Sequence, residues 1–540
     1  MFFDGKKLQD GKILETDVCI VGGGASGITL ALKFINAPFD VLLIESGGRK
    51  FDHRSQLLYQ AENIGQLYYE MEFTKQRYFG GASNKWFGRS RPMDEVDFEH
   101  RPWVRYSGWP FSGRELDPFY RRASSVCQLN SYDYEPASWE SDDRKQLPIH
   151  NSDLETKIFQ FSPPTRFSET YSDLIQNAKN IKTFLFSNAI SVSLNSQGTK
   201  VKHLNFATLQ GNRFQVKAKL YILAASALEN TRLLMVSNDV HTNGIGNQND
   251  LVGRFFMEHP HIFECALLTP LTPKQARYYK ILNYDSVSAN IGTAGALGLK
   301  EDTIRREQIL NASAFFVQRQ RFKVDDRYFS RGGVALTKVM DTLNHRNAPG
   351  LQFLGYARNA VKHTRTISGI VGLWLKGIAN SNTYVTLRSQ LETVPNPNSR
   401  VILSDKKDRF GIPKLALNWQ LTHQDLESYL RFRALLFRGL NRSGFNLHIF
   451  THETDEAGWP VTMIAAKHHM GTTRMHSNPK MGVVDSDCKV HGIGNLFIAG
   501  SSVFPTSGQA NPMLTIVALA IRLADHVKHL LVCRQDSECL

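Results

Sequence analysis

Cysteine is scarce and scattered in this chain. Cys19, Cys127, Cys265, Cys488, Cys533 and Cys539 stand far apart and form no C-x-x-C pair. This argues against a zinc framework or a disulfide scaffold and suits reducing conditions. Cys19 falls in an apolar run, where a small buried thiol is expected. Long hydrophobic runs are lacking too. The longest uncharged stretch, 496–521, is broken by Pro505, Gly508 and Pro512, so no spanning helix is expected. Met1 to Lys7 carry no apolar stretch of signal-peptide length. These absences lead to the expectation of a cytoplasmic protein without membrane association. Acidic residues are in deficit, 50 against 64 Lys and Arg, for a net charge of +14. The basic residues are nonetheless spread from Lys6 to Arg534, which predicts a solvated basic surface and no nucleic-acid partner. One segment, 356–376, is basic and apolar together; a helix packed on the domain or a subunit contact is expected there in preference to a membrane surface. No internal repeat or low-complexity tract interrupts the chain. No G-x-S-x-G frames a serine, since Gly500-Ser501-Ser502 lacks that setting, which argues against a serine hydrolase.

What is present is ordinary globular material. At 540 residues and 42% hydrophobic, the chain can bury a large core. Residues 17–21 read as a strand, Ala25–Phe34 as a helix and Val41–Ile44 as a second strand, a βαβ unit at the start of the chain. From 51 to 179 the pattern is irregular and rich in aromatics and Arg. Residues 188–194, 201–209 and 214–219 read as an antiparallel meander leading into a strand at 220–224. Further strands are expected at 400–403 and 415–417, and helices at 425–440 and 512–531.

Gly22-Gly23-Gly24-Ala25-Ser26-Gly27 forms G-x-G-x-x-G between that first strand and helix, with Glu45 closing the next strand. The context gives each position a task. Gly22 allows the tight turn, Gly24 admits a pyrophosphate to the backbone, and Gly27 lets helix and strand pack closely. The N–H groups opening the helix meet the phosphate charge, and Glu45 accepts from a ribose. The pattern alone serves FAD or NAD. After Glu45, however, the chain leaves the sheet through Ser46-Gly47-Gly48-Arg49 without further βα units, which favours a flavoprotein with an interrupted nucleotide domain.

Eight segments in order carry a wider likeness: VCIVGGGASG, LLIESGG, FGGASNKWFGRS from Phe79, SGWPFSGRELDPFY from Ser107, ILAASALENTRLL from Ile222, GRFFMEHP from Gly253, HHMGTTRM from His468 and NLFIAGSSVFPTSGQANPMLT from Asn495. In these the chain resembles the glucose-methanol-choline (GMC) oxidoreductase family, and within it the branch of pyranose oxidase and related sugar and glycoside oxidoreductases. The likeness spans nearly the whole chain and is weakest between 268 and 391. It implies an α/β fold with an α+β substrate part: a discontinuous Rossmann-like FAD-binding domain (1–110, 180–265, 470–540) and an antiparallel-sheet substrate domain (111–179, 266–469). It implies FAD closed over by the loop carrying Gly81 and Ser83 and reached by Gly500, Ser501 and the segment after them, Pro512 included. Some members bind FAD covalently through a His in this loop. Lys85 stands at the matching position, so noncovalent FAD is expected.

Oxidising an alcohol removes a hydroxyl proton and a carbon-bound hydride. The flavin takes the hydride, and the protein must supply a base and an orienting partner. His468 falls where the family places its catalytic His, with His469 as the rival. Asn511 can donate to the substrate oxygen; Asn511-Pro512 also reads as an N-cap followed by the first residue of a helix. His259 in Glu258-His259-Pro260-His261 is read as a loop residue and no metal is expected. Arg474 is left between phosphate binding and loop bridging, and Trp86 and Trp109 between substrate stacking and packing. The expectation is an FAD-dependent oxidoreductase acting on a CH–OH group of a sugar, glycoside, aminosugar or polyol, with an unspecified electron acceptor. The alternatives are a non-sugar alcohol or sterol as substrate, or a lyase or binding flavoprotein without redox turnover.

Overall fold

Residues 17–21 extend into a longer strand, Lys12–Val21, in a computed structural model that describes residues 1–129, 131–149, 153–163, 165–279, 292–317, 384–449 and 453–538. The basic, apolar segment 356–376 lies outside the described residues. Helix Ala25–Phe34 and strand Val41–Ile44 complete the βαβ unit as expected. Lys12–Val21 is buried along Val18, Cys19, Ile20 and Val21, the continuous apolar run of a strand covered on both faces.

This unit sits in an eight-stranded sheet. From one edge, Phe2–Asp4, Ile181–Leu185, Val41–Ile44, Lys12–Val21 and Arg213–Leu223 run parallel. Leu496–Ile498 joins Arg213–Leu223 in parallel at 221–223. The meander Asn188–Leu194 and Val201–Ala207 is present, but residues 213–223 form one continuous strand where two were expected. Arg213–Leu223 pairs antiparallel with Val201–Ala207 at its start and parallel with Lys12–Val21 along its length. Helices Ala25–Phe34, Gly113–Val126 and Met513–Glu538 pack together beside this sheet over the first hydrophobic core.

A second eight-stranded sheet is antiparallel throughout. It runs from Asn446–Ile449 through Pro260–Thr269, Tyr384–Leu391, Ala312–Val317, Thr293–Leu299 and Leu154–Phe161 to Arg89–Ser90, and Met463–Ala465 also pairs with Pro260–Thr269. Helix His423–Arg442 covers it over a second core. A hairpin, Arg400–Lys407 with Pro413–Asn418, takes Ala61–Asn63 as a third strand. The 51–179 region is less irregular than its composition suggested, because it holds helix Gly113–Val126 and strand Leu154–Phe161. The architecture is therefore a discontinuous Rossmann-like sheet joined to an antiparallel-sheet part. Among the described residues, no helix is long and apolar enough to cross a membrane.

Candidate active site

The strand ends of the first sheet and one face of the second enclose a cavity of about 1170 Å³. Drug-sized ligands occupy pockets of roughly 300–1,000 Å³, so this one has room for a large, extended molecule. The three motif glycines divide their tasks. Gly22 has φ +111°, and a Cβ there would lie 2.5 Å from the Ala224 carbonyl oxygen. A Cβ on Gly27 would lie 1.9 Å from the Gly22 carbonyl oxygen, so helix and strand touch only because it is glycine. At Gly24 a Cβ would meet no protein atom within 4 Å, and the residue lines the cavity.

Two further glycines converge on the same place. Gly81, at φ +53°, would bring a Cβ to 3.1 Å from the Gly24 Cα, and Gly500 would bring one to 3.5 Å from Ser26 Oγ. The Gly80 amide donates to the Gly23 carbonyl at 2.7 Å, and the Ala499 amide to the Leu223 carbonyl at 2.8 Å. Three segments distant in sequence thus present bare backbone to one end of the cavity. A diphosphate-bearing group fits such a cradle, and Ser501 and Pro512 also line the cavity. Ser83 and Gly27 are not part of the wall. Ser83 is buried beneath its loop, donating to the Gly80 carbonyl at 2.7 Å and accepting from the Phe167 amide at 3.3 Å. Glu45 lines the cavity and also staples the turn: its carboxylate accepts from the amides of Gly23 and Gly47 at 2.8 Å each and from the Ser46 hydroxyl at 3.1 Å. A carboxylate has about four acceptor sites, so one more donor can be taken.

The other end of the cavity is chemical. Met463–Ala465 pairs with 260–262, and Met470 resumes a bridge to Met257. The intervening residues bulge, with Lys467 at φ +66°. Such bulges re-aim side chains beside functional sites, and here both His468 and His469 reach the cavity wall. His468 Nε2 lies 3.4 Å from Asn511 Nδ2, and its Nδ1 lies 2.9 Å from His259 Nδ1. Burial, then His259, His261, Arg89 and His469, push the His468 pKa well below the ordinary histidine value. Its ring is therefore unprotonated at neutral pH, with a lone pair to offer. His469 turns to Tyr68, whose hydroxyl lies 2.9 Å from His469 Nε2 and donates to Glu258 at 2.5 Å.

Asn511 does not cap the closing helix. That helix starts at Met513, and the Pro512 carbonyl accepts its first bond, from Ile516 at 2.8 Å. The Asn511 side chain is drawn instead to Arg89, whose Nε donates to Asn511 Oδ1 at 2.9 Å. This bond orients the amide, oxygen to Arg89 and NH2 toward His468. Gln390 joins the network: its Oε1 accepts from Arg89 and from His261 Nε2, the latter at 2.9 Å, and its NH2 donates to the Gln509 carbonyl. His261 and Gln390 are opposite each other across Pro260–Thr269 and Tyr384–Leu391.

Arg89, His259, His261 and Gln390 are thus site residues that sequence reasoning missed. The available signal was the alternation His259-Pro260-His261 at the head of an apolar strand. Trp86 lines the cavity, whereas Trp109 is buried and donates to Thr506 at 2.8 Å. Arg474 is buried away from the cavity against Phe255, donating to the Tyr106 carbonyl at 2.7 Å. Among the described residues, no group of three or more His, Cys, Asp or Glu is arranged to hold a metal.

Residues 395–520 match the GMC oxidoreductase family. The large subunit of fructose dehydrogenase from Gluconobacter japonicus is 22% identical over 95% of this chain and 98% of its own. The 6'''-hydroxyparomomycin C oxidase of Streptomyces lividus is 22% identical over 94% of this chain and 90% of its own. In fold, the crystal structure of pyridoxine 4-oxidase from Mesorbium loti superposes with a TM-score of 0.57 at 18% identity, covering 95% of this chain and 99% of the other. The glycine cradle suits the cofactor of such enzymes, and the stretch matching the GMC oxidoreductases is the one that carries His468, Ser501 and Asn511.

Proposed function

We propose that this enzyme oxidises a CH–OH group of a sugar, glycoside, aminosugar or polyol, with His468 as the base. The observation that carries the reading is the imidazole–carboxamide pair, 3.4 Å apart, set in the cavity that begins at the Gly24 cradle. Gly24, Gly81, Gly500 and Ser501 would hold FAD, with Glu45 to accept from its ribose, and the bound cofactor would supply the hydride acceptor. His468 Nε2 takes the hydroxyl proton as the hydride leaves the same carbon. Asn511 holds the substrate oxygen through its NH2 group. The start of helix Met513–Glu538 turns its positive end toward the site, favouring negative charge there. The sugar class draws support from two of the relatives that match over nearly the full length, one named for fructose and one for an aminoglycoside.

The test is anaerobic mixing with a library of sugars, polyols and other alcohols while flavin absorbance is followed. His468→Ala should keep its flavin and slow reduction by roughly 10²–10⁴-fold, the usual worth of a general base. Parental reduction rates in that variant would remove His468 from the role. Bleaching by sterols or simple alcohols but not by sugars or polyols would overturn the substrate class. Lys85, exposed in the cavity wall, offers no imidazole to the flavin, so noncovalent binding is part of the proposal. Acid precipitation should leave the yellow colour in the supernatant; colour in the pellet contradicts it.

A further inference from the structure

We propose that His259 is a positioning residue that sets the tautomer of His468 so that Nε2 is the bare, proton-accepting nitrogen. The inference rests on the reading of His468 as base and adds the group behind it. His259 Nε2 faces the Ser507 carbonyl at 3.3 Å. A carbonyl only accepts, so the proton of neutral His259 resides on Nε2 and its Nδ1 carries a lone pair. That lone pair meets His468 Nδ1 at 2.9 Å, a contact that needs one hydrogen, which His468 must supply. With Nδ1 protonated, neutral His468 is bare at Nε2, where the Asn511 NH2 approaches. The opposite assignment fails at both ends. It would set a lone pair of His259 against the Ser507 carbonyl and an Nε2–H of His468 against the Asn511 NH2, whose orientation Arg89 fixes.

The chain is built to hold His259 in place. It is fully buried. The Thr393 hydroxyl donates to the Glu258 carbonyl at 3.0 Å, and the Thr393 amide donates to Ser507 Oγ at 3.2 Å. One residue thereby ties the backbone bearing His259 to the backbone bearing its acceptor. Burial lowers the His259 pKa to about 4, which keeps the ring neutral and Nδ1 able to accept. The charged or titratable groups facing His468 are His259 and His261, Arg89 across the cavity, and His469 on its own segment; Glu258 accepts from its backbone. Among the described residues, no carboxylate is paired with the ring. When His468 gains the hydroxyl proton at Nε2, its Nδ1–H continues to donate to His259, so the bond survives the step. The role parallels that of the buried Asp in a catalytic triad, which orients its histidine and selects the tautomer, performed here by a neutral ring backed by a carbonyl.

The test uses the flavin-loaded enzyme as isolated. In ¹⁵N-histidine NMR, with resonances assigned through His468→Ala and His259→Asn, His468 should carry its proton on Nδ1 and His259 on Nε2. A proton on His468 Nε2 overturns the proposal without reference to activity. In anaerobic flavin reduction, His259→Phe should slow the step by roughly 10- to 100-fold, the scale on which a histidine's outer partner acts. His259→Asn places an amide oxygen near the lost Nδ1 and should recover most of the rate. His259→Asp adds a charge behind Nδ1–H and should move the acid limb of the pH profile upward. Equal losses in all three variants with an unmoved acid limb mark a packing role and overturn the proposal. So does a parental rate in His259→Phe while His468→Ala is slow. If His468→Ala itself reduces at the parental rate, the base assignment falls first.

Discussion

Glu258 is the most unusual acid among the residues around the site. Its fully buried carboxyl is raised to about 7, chiefly by burial, against the opposing donors Tyr68, His259 N and Ala466 N. An unfolded Glu titrates near 4.3. A raised folded value means that the native state holds a proton the unfolded chain has released. This contribution to stability is complete below about pH 4.3 and is lost as pH rises through 7, at roughly 1.4 kcal/mol per pH unit. Glu258→Gln keeps an acceptor for Tyr68 and removes the titration. Urea unfolding of both proteins from pH 5 to 8 should show the variant gaining on the parent by about 2–3 kcal/mol; parallel curves would place the ionisation elsewhere. The meeting of His468 and Asn511 in the cavity was legible because short motifs contain them. The residues that orient them were not. Arg89 reaches Asn511 from 422 positions away and Gln390 reaches it from 121, and no local pattern reports such a meeting.

At the scale of elements, the first βαβ unit was readable because apolar run, glycine turn and acidic strand end all agree. Its glycines have separable effects. Gly27→Ala drives a methyl into the Gly22 carbonyl and should destabilise even the flavin-free protein by about 1–3 kcal/mol, the cost of overpacking. Gly24→Ala meets only open cavity. It should leave flavin-free stability unchanged while weakening FAD binding, measured by titrating FAD into stripped protein. Equal effects of the two changes on flavin-free stability would contradict the division. Helix Gly113–Val126 escaped notice because Pro118 interrupts it, although the Ser112–Glu115 capping box marks its start. Strand Leu154–Phe161 was hidden by Lys157, a lysine buried in the strand and neutralised by Asp94 at 2.7 Å. A buried charge breaks the apolar alternation by which strands are read.

Across the whole molecule, the cofactor's cavity is walled by both sheets, by the Gly81 loop and by the segment entering the last helix. A ligand held by all of these stabilises the native state and nothing in the unfolded one. Stripping the flavin should therefore lower the midpoint of thermal unfolding. Re-adding FAD at 100 times its dissociation constant should restore about 2.7 kcal/mol, and an unchanged midpoint would mean that the folded cavity does not bind FAD in preference to the unfolded chain. The large-scale division into a parallel and an antiparallel sheet was legible only through the family likeness. The continuity of Arg213–Leu223 was not, since one strand changing partners midway has the local pattern of two.

That strand carries a consequence for biosynthesis. Its parallel neighbours include Lys12–Val21 on one side and Leu496–Ile498 on the other. A ribosome adding about 5–20 residues per second needs roughly half a minute to a minute and a half between delivering the two. Throughout that interval the nascent polypeptide exposes a half-built pocket whose floor exists and whose far wall has not been translated. The vitamin-derived group can be gripped only once that far wall has been made, so a message cut short before residue 496 yields protein that no supply of riboflavin will rescue.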